Sequence, residues 1–328
     1  MVPRFMRLLF AMVSLAAATS WADAAVLLFP AVGTPAQVTI SGRVLKHAGT
    51  GGSSTFSKNL RRLTSSNWEG APVVVRFAGR EAEVKSGHDG NFSVTFTPEK
   101  TPFEVGLTNA EANVKSAATG SATVDIVDPR ASFFVVSDFD DTLAVTNVAA
   151  GGTKLVKAAL LEDETTQPVV EGMAEFYGCL KEDKAARPGF ALVSGSPAQY
   201  LNRVRQFLLA HGFPLSFGIY LRDFGPKTLS NYKQPVIREL LKELPNQVVL
   251  VGDSGEHDPE VYAQMRSEFP DRVKAIYIRN AGHAEDVKRF DGMFLFKNPK
   301  DAALDAVTKG LASAECVGRA FPESKAEK

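Results

Sequence analysis

The sequence predicts two domains in tandem: a β-sandwich, then an α/β domain built on a parallel sheet with helices on both faces. Three observations carry this expectation. Residues 35–130 show the period-two alternation of strands, broken by turn-rich stretches. From residue 131 onward, apolar strand-like runs alternate with helix-like segments. The chain has 328 residues, enough for two domains of roughly 150 residues each. Its 45% hydrophobic and 23% charged content can fill a core. Lys+Arg and Asp+Glu both total 37, so no basic excess supports a nucleic-acid binder driven by bulk charge. The pair Arg61-Arg62 is too small a cluster to change that.

The first segment reads as a leader. Arg4 and Arg7 precede an apolar run, residues 8–19, shorter than the roughly 20 residues that span a bilayer. Ala22-Asp23-Ala24 supplies a small-x-small cleavage pattern, so residues 1–24 are expected to be a signal peptide and the mature chain to begin near Ala25. An uncleaved anchor is the competing reading, because residues 24–32 are also apolar. Export, periplasmic or secreted, implies an oxidising compartment. Cys179 and Cys316, the two cysteines, have no zinc or CxxC spacing. They form either one disulfide or two separate buried thiols, and the sequence leaves both open because it does not contain their separation in space.

Residues 25–130 are expected to form the β-sandwich domain. Gln37-Val38-Thr39-Ile40 and Arg43-Val44-Leu45 alternate, residues 72–78 are β-branched, and Phe92, Val94 and Phe96 alternate with Ser93, Thr95 and Thr97. His88-Asp89-Gly90-Asn91 is a turn between strands, with Gly90 supplying positive φ. The Gly- and Ser-rich residues 49–54 read as a loop. This region holds no catalytic constellation, so a binding or spacer role is expected.

Residues 131–314 are expected to form the α/β domain and 315–328 a C-terminal tail. Strand candidates are 132–137, 190–194, 247–252, 273–279 and 293–296. In a helix at 198–211, Leu201, Val204, Leu208 and His211 recur at three-to-four spacing, as do Val236, Leu240 and Leu244 in a helix at 232–244. Near-continuous apolar strands between helices imply a parallel sheet buried on both faces. Ligands bind such sheets at the carboxyl ends of the strands, and the charged motifs fall there.

The most informative motif is Ser137-Asp138-Phe139-Asp140-Asp141-Thr142, directly after Phe133-Phe134-Val135-Val136. Three carboxylates within four residues at a strand end repel one another unless a cation neutralises them. Ser194-Gly195-Ser196-Pro197 follows the second strand, Lys233 opens a helix, and Gly252-Asp253-Ser254-Gly255-Glu256-His257-Asp258 follows the third. Each suits phosphoryl transfer. A carboxylate can act as nucleophile. A second one two residues on lies on the same side of an extended chain and can act as acid, then base. A hydroxyl and an ammonium can hold phosphoryl oxygens. Further carboxylates complete an oxygen site for Mg²⁺.

This set, in this order, resembles the haloacid dehalogenase superfamily of phosphatases over roughly residues 131–298. Together with Leu221-Arg222-Asp223, Pro259-Glu260-Val261-Tyr262 and Ile276-Tyr277-Ile278-Arg279, it is similar to the catalytic domain of the actin-patch-associated phosphatidate phosphatase family. The resemblance implies a Rossmann-like parallel sheet, and the modest length of the interval 143–188 implies a small or absent cap. Asp138 would attack phosphorus, and Asp140 would protonate the leaving oxygen and then activate water. Ser194 and Lys233 would hold the phosphoryl group. Asp138, Asp140, Asp253 and Asp258 would make up the Mg²⁺ site, Asp253 binding directly and Asp258 in support. The implied substrate is phosphatidate at a membrane surface, releasing diacylglycerol and phosphate; the residues alone support a phosphomonoester. The chain departs from the family at Gly195, where Asn is usual, and at Ala198, where Trp is usual, which bears on substrate contacts more than on chemistry. Lys227 is a rival for Lys233.

Blander roles are expected for some neighbours. Asp141 is expected to cap the following turn, Ser196 to be a helix N-cap, and His257 to be a solvated loop residue. Arg222 and Asp223 either pair with each other or line the site. The other histidines lack zinc spacing. Gly252-Asp253-Ser254-Gly255 matches the string around a trypsin-like serine, but it follows a buried strand and no Cys-flanked upstream His exists. The short interval between the first two motifs, 143–188, implies a site open to bulky substrates. The alternatives are a phosphatase for another phosphomonoester (phosphoprotein, nucleotide or sugar phosphate) and a binding protein acting through its β-sandwich.

Overall fold

The structure is a computed structural model that describes residues 24–46, 66–115, 117–146, 167–182, 187–214, 216–222 and 232–323. The leader up to residue 23, the loop at 49–54, the interval 147–166, Asp223 and Lys227 lie outside the described residues.

The N-terminal domain contains β1 (Ala25–Leu28), β2 (Ala31–Thr34), β3 (Gln37–Leu45), β4 (Pro72–Phe77), β5 (Arg80–Lys85), β6 (Asn91–Phe96), β7 (Gly106–Asn113) and β8 (Gly120–Ile126). Hydrogen bonding joins all eight in one mixed sheet, ordered β1-β3-β2-β8-β7-β4-β5, with β6 also paired to β3. Alternation decides which side faces in: Val73, Val75 and Phe77 of β4 are buried, while Pro72 and Arg76 are exposed. β6, which branches from β3, lies close to β5 at the far end of the path. The sheet therefore doubles over a core that includes Val38, Ile40, Val75, Phe77, Phe92 and Phe96, and the two layers are halves of one continuous sheet. The turn before β6 places Gly90 at φ 73, where a Cβ would also stand 2.5 Å from the Val44 carbonyl oxygen.

The α/β domain contains six parallel strands: β9 (Phe133–Ser137), β10 (Phe190–Pro197), β11 (Phe217–Arg222), β12 (Gln247–Asp253), β13 (Val273–Arg279) and β14 (Phe294–Phe296), ordered β11-β10-β9-β12-β13-β14. Strand order reverses beside β9, the first strand, which is the Rossmann-like arrangement and opens a crevice between β9 and β12 at their carboxyl ends. Every residue of β9 is buried. Phe133 and Val135 enter the apolar layer formed with α1 (Met173–Lys181), α2 (Leu201–Ala210), α5 (Pro299–Thr308) and α6 (Ala314–Ala320). Phe134 and Val136 enter the opposite layer, with α3 (Lys233–Glu243) and α4 (Asp258–Glu268). A strand covered on both faces has no room for polar alternation, which explains the continuous apolar run.

Strand β11 was not among the sequence candidates, because Gly218 weakens a six-residue run as a strand signal. Its reason is spatial. β11 is the sheet edge, and β2 comes so close that a Cβ on Gly218 would stand 3.0 Å from the Val32 nitrogen. The Ile219 N–H donates to the Pro30 carbonyl at 2.8 Å, so the N-terminal domain covers an edge that would otherwise be open to pairing. Arg187 pairs with the buried Asp125 of β8, Nη1 to Oδ2 being 3.0 Å. The Asn246 amide donates to the Asp128 and Ala131 carbonyls at 3.0 and 2.7 Å, pinning the connection between the domains.

The segment expected as a tail from 315 opens inside α6, whose Ser313 hydroxyl caps the Cys316 N–H at 3.1 Å. Cys179 of α1 and Cys316 of α6 form a disulfide across 137 residues of sequence, deciding between the two readings left open above. A closure this long restricts the unfolded chain substantially. Cys316→Ser is expected to cost about 2–4 kcal/mol, seen as a lower urea midpoint under non-reducing conditions. An unchanged midpoint would show that the bond contributes nothing to stability.

Candidate active site

The carboxyl ends of β9 and β12 bring separate motifs into one crevice. Asp138 follows β9, and its N–H donates to the Val251 carbonyl at 2.9 Å, locking the motif to the neighbouring strand. The Thr142 hydroxyl donates to Asp138 Oδ2 at 3.2 Å. Beneath it, the Tyr177 hydroxyl donates to Ser137 Oγ at 2.6 Å, joining α1 to the strand end. Asp253 ends β12, and its Oδ1 accepts the Gly255 N–H at 2.6 Å. Asp258, the first residue of α4, folds back so that its Oδ2 accepts the Asp253 N–H at 3.2 Å. Gly252 permits this approach, since a Cβ there would lie 2.8 Å from the Asp258 Cβ.

Carboxyl oxygens of Asp138, Asp253 and Asp258 all lie within 4.8 Å of one another, and all three residues are buried. Lys233, at the start of α3, answers part of this charge. Its Nζ is 2.8 Å from Asp138 Oδ1, bonds Asp258 Oδ1, and is 3.8 Å from Glu256 Oε2. One ammonium thus faces four carboxyl groups, counting Asp253. Burial pushes the Asp138 carboxyl well above its usual range, with Lys233 pulling it back. Burial, then the charge on Asp258, pushes Asp253 up to about 8. The negative partners hold Lys233 well above the ordinary lysine range, overcoming the opposing effect of burial. Asp253 Oδ2 is buried without a hydrogen-bond partner, and Asp138 Oδ1, despite its closeness to Lys233, accepts no well-directed hydrogen bond. Two buried oxygens free to accept, in a set of carboxylates with excess negative charge, fit a hard divalent cation.

Asp140 stands apart from this trio. Its Oδ2 accepts from Ser194 Oγ at 3.1 Å and from Ser196 Oγ at 2.7 Å. Burial raises its carboxyl and the two serines lower it, leaving it above the usual range. The structure therefore brings all six expected site residues to one strand-end face, with Asp138, Asp253, Asp258 and Lys233 in one cluster and Asp140 with Ser194 beside it.

Ser196 is not the helix N-cap expected for it. β10 continues through Pro197, so Ser196 lies on extended chain, and the helix is entered through a 3-10 turn at Ala198–Tyr200 without a side-chain cap. Asp141 lies at φ 53, with its Oδ1 accepting the Thr146 N–H at 2.8 Å. The Arg279 guanidinium holds its carbonyl at 2.5 Å. The His257 side chain is 91% exposed. Arg222 donates to the Gly195 carbonyl.

Two contributors escaped the sequence reading. Glu256 was quoted only within its motif, and its nearness to Lys233 depends on how the loop folds. Arg289, some thirty residues beyond the motif, clamps that loop by donating to the carbonyls of Ser254 at 3.1 Å and Glu256 at 2.8 Å. No sequence signal marks it; it is one basic residue of a polar loop.

An Asp253 carboxyl raised in the folded state binds its proton more tightly there than in the unfolded chain. Its contribution to stability is therefore greatest below the unfolded value near 4 and is lost as pH rises toward about 8. With chelator present, wild type is expected to lose melting temperature relative to Asp253→Asn over that window, and Mg²⁺ to reduce the loss. Parallel curves for the two proteins would contradict the assignment.

The family profile described as "Phosphatidate phosphatase APP1, catalytic domain" matches residues 133–280. Phosphatidate phosphatase APP1 of Saccharomyces cerevisiae is 33% identical over 153 residues, 44% of this chain and 25% of that protein. An uncharacterized protein of Schizosaccharomyces pombe is 29% identical over 189 residues, 55% of this chain and 30% of that protein. The chain thus spans less than a third of the length of these relatives. Among solved structures, the HAD domain of effector protein Lem4 from Legionella pneumophila aligns at TM-score 0.36 and 13% identity, over 56% of this chain and 97% of that one. The profile match runs from β9 through β13 and spans both strand ends of the carboxylate cluster, so residues 133–280 are similar to the APP1 phosphatidate phosphatase catalytic-domain family.

Proposed function

We propose that this protein is a Mg²⁺-dependent phosphomonoesterase that hydrolyses phosphatidate to diacylglycerol and phosphate. The observation that carries the reading is the buried trio of Asp138, Asp253 and Asp258, with the Lys233 ammonium against Asp138 and Asp258. The APP1 match supports the substrate class.

Asp138 is the nucleophile. Its carboxylate attacks phosphorus while the bond to the leaving oxygen breaks, giving an aspartyl-phosphate. Asp140, raised by burial, holds a proton nearer neutral pH than an ordinary carboxyl and gives it to the leaving alkoxide. It then takes a proton from the water that hydrolyses the intermediate. Lys233 and Ser194 hold phosphoryl oxygens where charge accumulates. Asp138, Asp253 and Asp258 would hold Mg²⁺, and Asp140 borders that set. When bound, the cation offsets the charge of nucleophile and phosphoryl group. We place the enzyme outside the cytoplasm, with residues 1–24 as its leader, 25–130 and 131–314 as its domains and 315–328 as its terminus. The Cys179–Cys316 disulfide supports an oxidising compartment.

Phosphate release from p-nitrophenyl phosphate and from dispersed phosphatidate tests this. Asp138→Asn is expected to lower kcat by about 10³-fold or more and Asp140→Asn by about 10²–10⁴-fold, with chelation abolishing wild-type turnover. Turnover by Asp138→Asn equal to wild type would sink the mechanism. Turnover of p-nitrophenyl phosphate but not phosphatidate would replace the substrate with another phosphomonoester. Expressed with its leader in a bacterium, the mature protein should begin at Ala25; an intact Met1 in the cytoplasmic fraction would contradict export.

A further inference from the structure

A cavity of about 400 Å³ lies where the two domains meet, along the edge of β11. Ile219, Tyr220 and Leu221 of β11 line one side, together with Tyr232. The N-terminal domain supplies the other side, from Phe29 and Pro30 and from Thr39, Ser41, Phe92 and Ser93 of β3 and β6. Among the described residues, none that lines the cavity is charged, in a chain that is 23% charged. The hydroxyls on this wall already have partners: Thr39 Oγ1 is 3.0 Å from Thr95 Oγ1, and Ser41 Oγ is 3.1 Å from Ser93 Oγ. The wall therefore offers carbon and satisfied oxygen. An apolar ligand loses nothing against it, while a sugar or nucleoside would find little to replace its water.

Two residues that line the cavity are neighbours of site residues. Leu221 lies directly opposite Ser194 in the β10–β11 ladder, about one strand spacing of 4.8 Å away. Tyr232 immediately precedes Lys233, whose Nζ is 2.8 Å from Asp138. A ligand with a phosphate at Asp138 and a chain running past Leu221 and Tyr232 would enter this space.

We infer that the interdomain cavity binds an aliphatic chain of the phosphomonoester substrate, so that the N-terminal domain forms part of the substrate site. This rests on the phosphomonoesterase reading above and assigns the β domain a role in selecting the alcohol. Burying methylenes here contributes about 0.8 kcal/mol each at most, so chain length is the readout.

The full chain is tested with two soluble esters, octyl phosphate and ethyl phosphate, with Mg²⁺. Wild type is expected to favour the octyl ester in kcat/KM by about tenfold or more. Ser93→Trp fills the cavity from an exposed position on β6, and Thr39→Glu places a carboxylate in it. Each is expected to bring the octyl-to-ethyl ratio close to one. A wild-type ratio near one, or a preference that survives both substitutions, overturns the inference while leaving phosphatase activity established. If neither ester is turned over in an Asp138-dependent way, the phosphatase reading fails, and calorimetric binding of octyl phosphate decides the cavity. Weaker binding to Ser93→Trp than to wild type supports it, and equal binding overturns it.

Discussion

The attraction between Lys233 and the carboxylates around it is the interaction on which the catalytic domain depends. Asp138 and Asp258 touch its ammonium, Glu256 lies 3.8 Å away, and Asp253 completes the acidic set. Buried like charges at such distances raise one another's pKa values and weaken the fold. One lysine answers part of that cost, and a divalent cation is the natural means of answering the rest. The same imbalance that strains the folded chain makes the crevice receptive to a divalent cation.

The architecture places this charge where it can be tolerated. β9 and β12 are buried on both faces by separate apolar layers, which hold the strand ends of Asp138 and Asp253 in fixed register. Gly252 lets Asp258 turn back against β12. Arg279 and Arg289 hold the loops that carry Asp141 and Glu256 by their carbonyls, and Arg289 also pairs with the Glu260 carboxylate. Charge-assisted hydrogen bonds to backbone are strong, and they fix the loops while Asp141 caps the Thr146 N–H and Glu256 stays near Lys233. The N-terminal domain closes the β11 edge, so that the edge of the sheet becomes one wall of an apolar cavity.

Much of this was legible in the residues. The continuous apolar run Phe133-Phe134-Val135-Val136 announces a strand buried on both faces, and the carboxylates that follow it announce its functional end. Gly90 marks its turn because only a positive φ fits there. Other features were silent for physical reasons. Ser196 before Pro197 reads as an N-cap in one dimension, yet the strand continues past it and turns its hydroxyl to Asp140. Gly218 weakens a strand signal because the cause of that glycine, the backbone of β2, comes from another domain. Arg289 carries no mark in the sequence, since the carbonyls of Ser254 and Glu256 that it holds lie more than thirty residues away.

The sequence by itself determined five of the six strands of the α/β sheet and the charged motifs at their ends, because strand burial, turn conformation and local charge density are properties of neighbouring residues. Only the tertiary structure decided which carboxylates meet, that Cys179 reaches Cys316, that Ser196 joins Asp140, and that the β domain walls a cavity beside the catalytic face. Those are distances between residues far apart in the chain, fixed by the packing of two helix layers on one sheet and by the contact of one domain with the edge of the other.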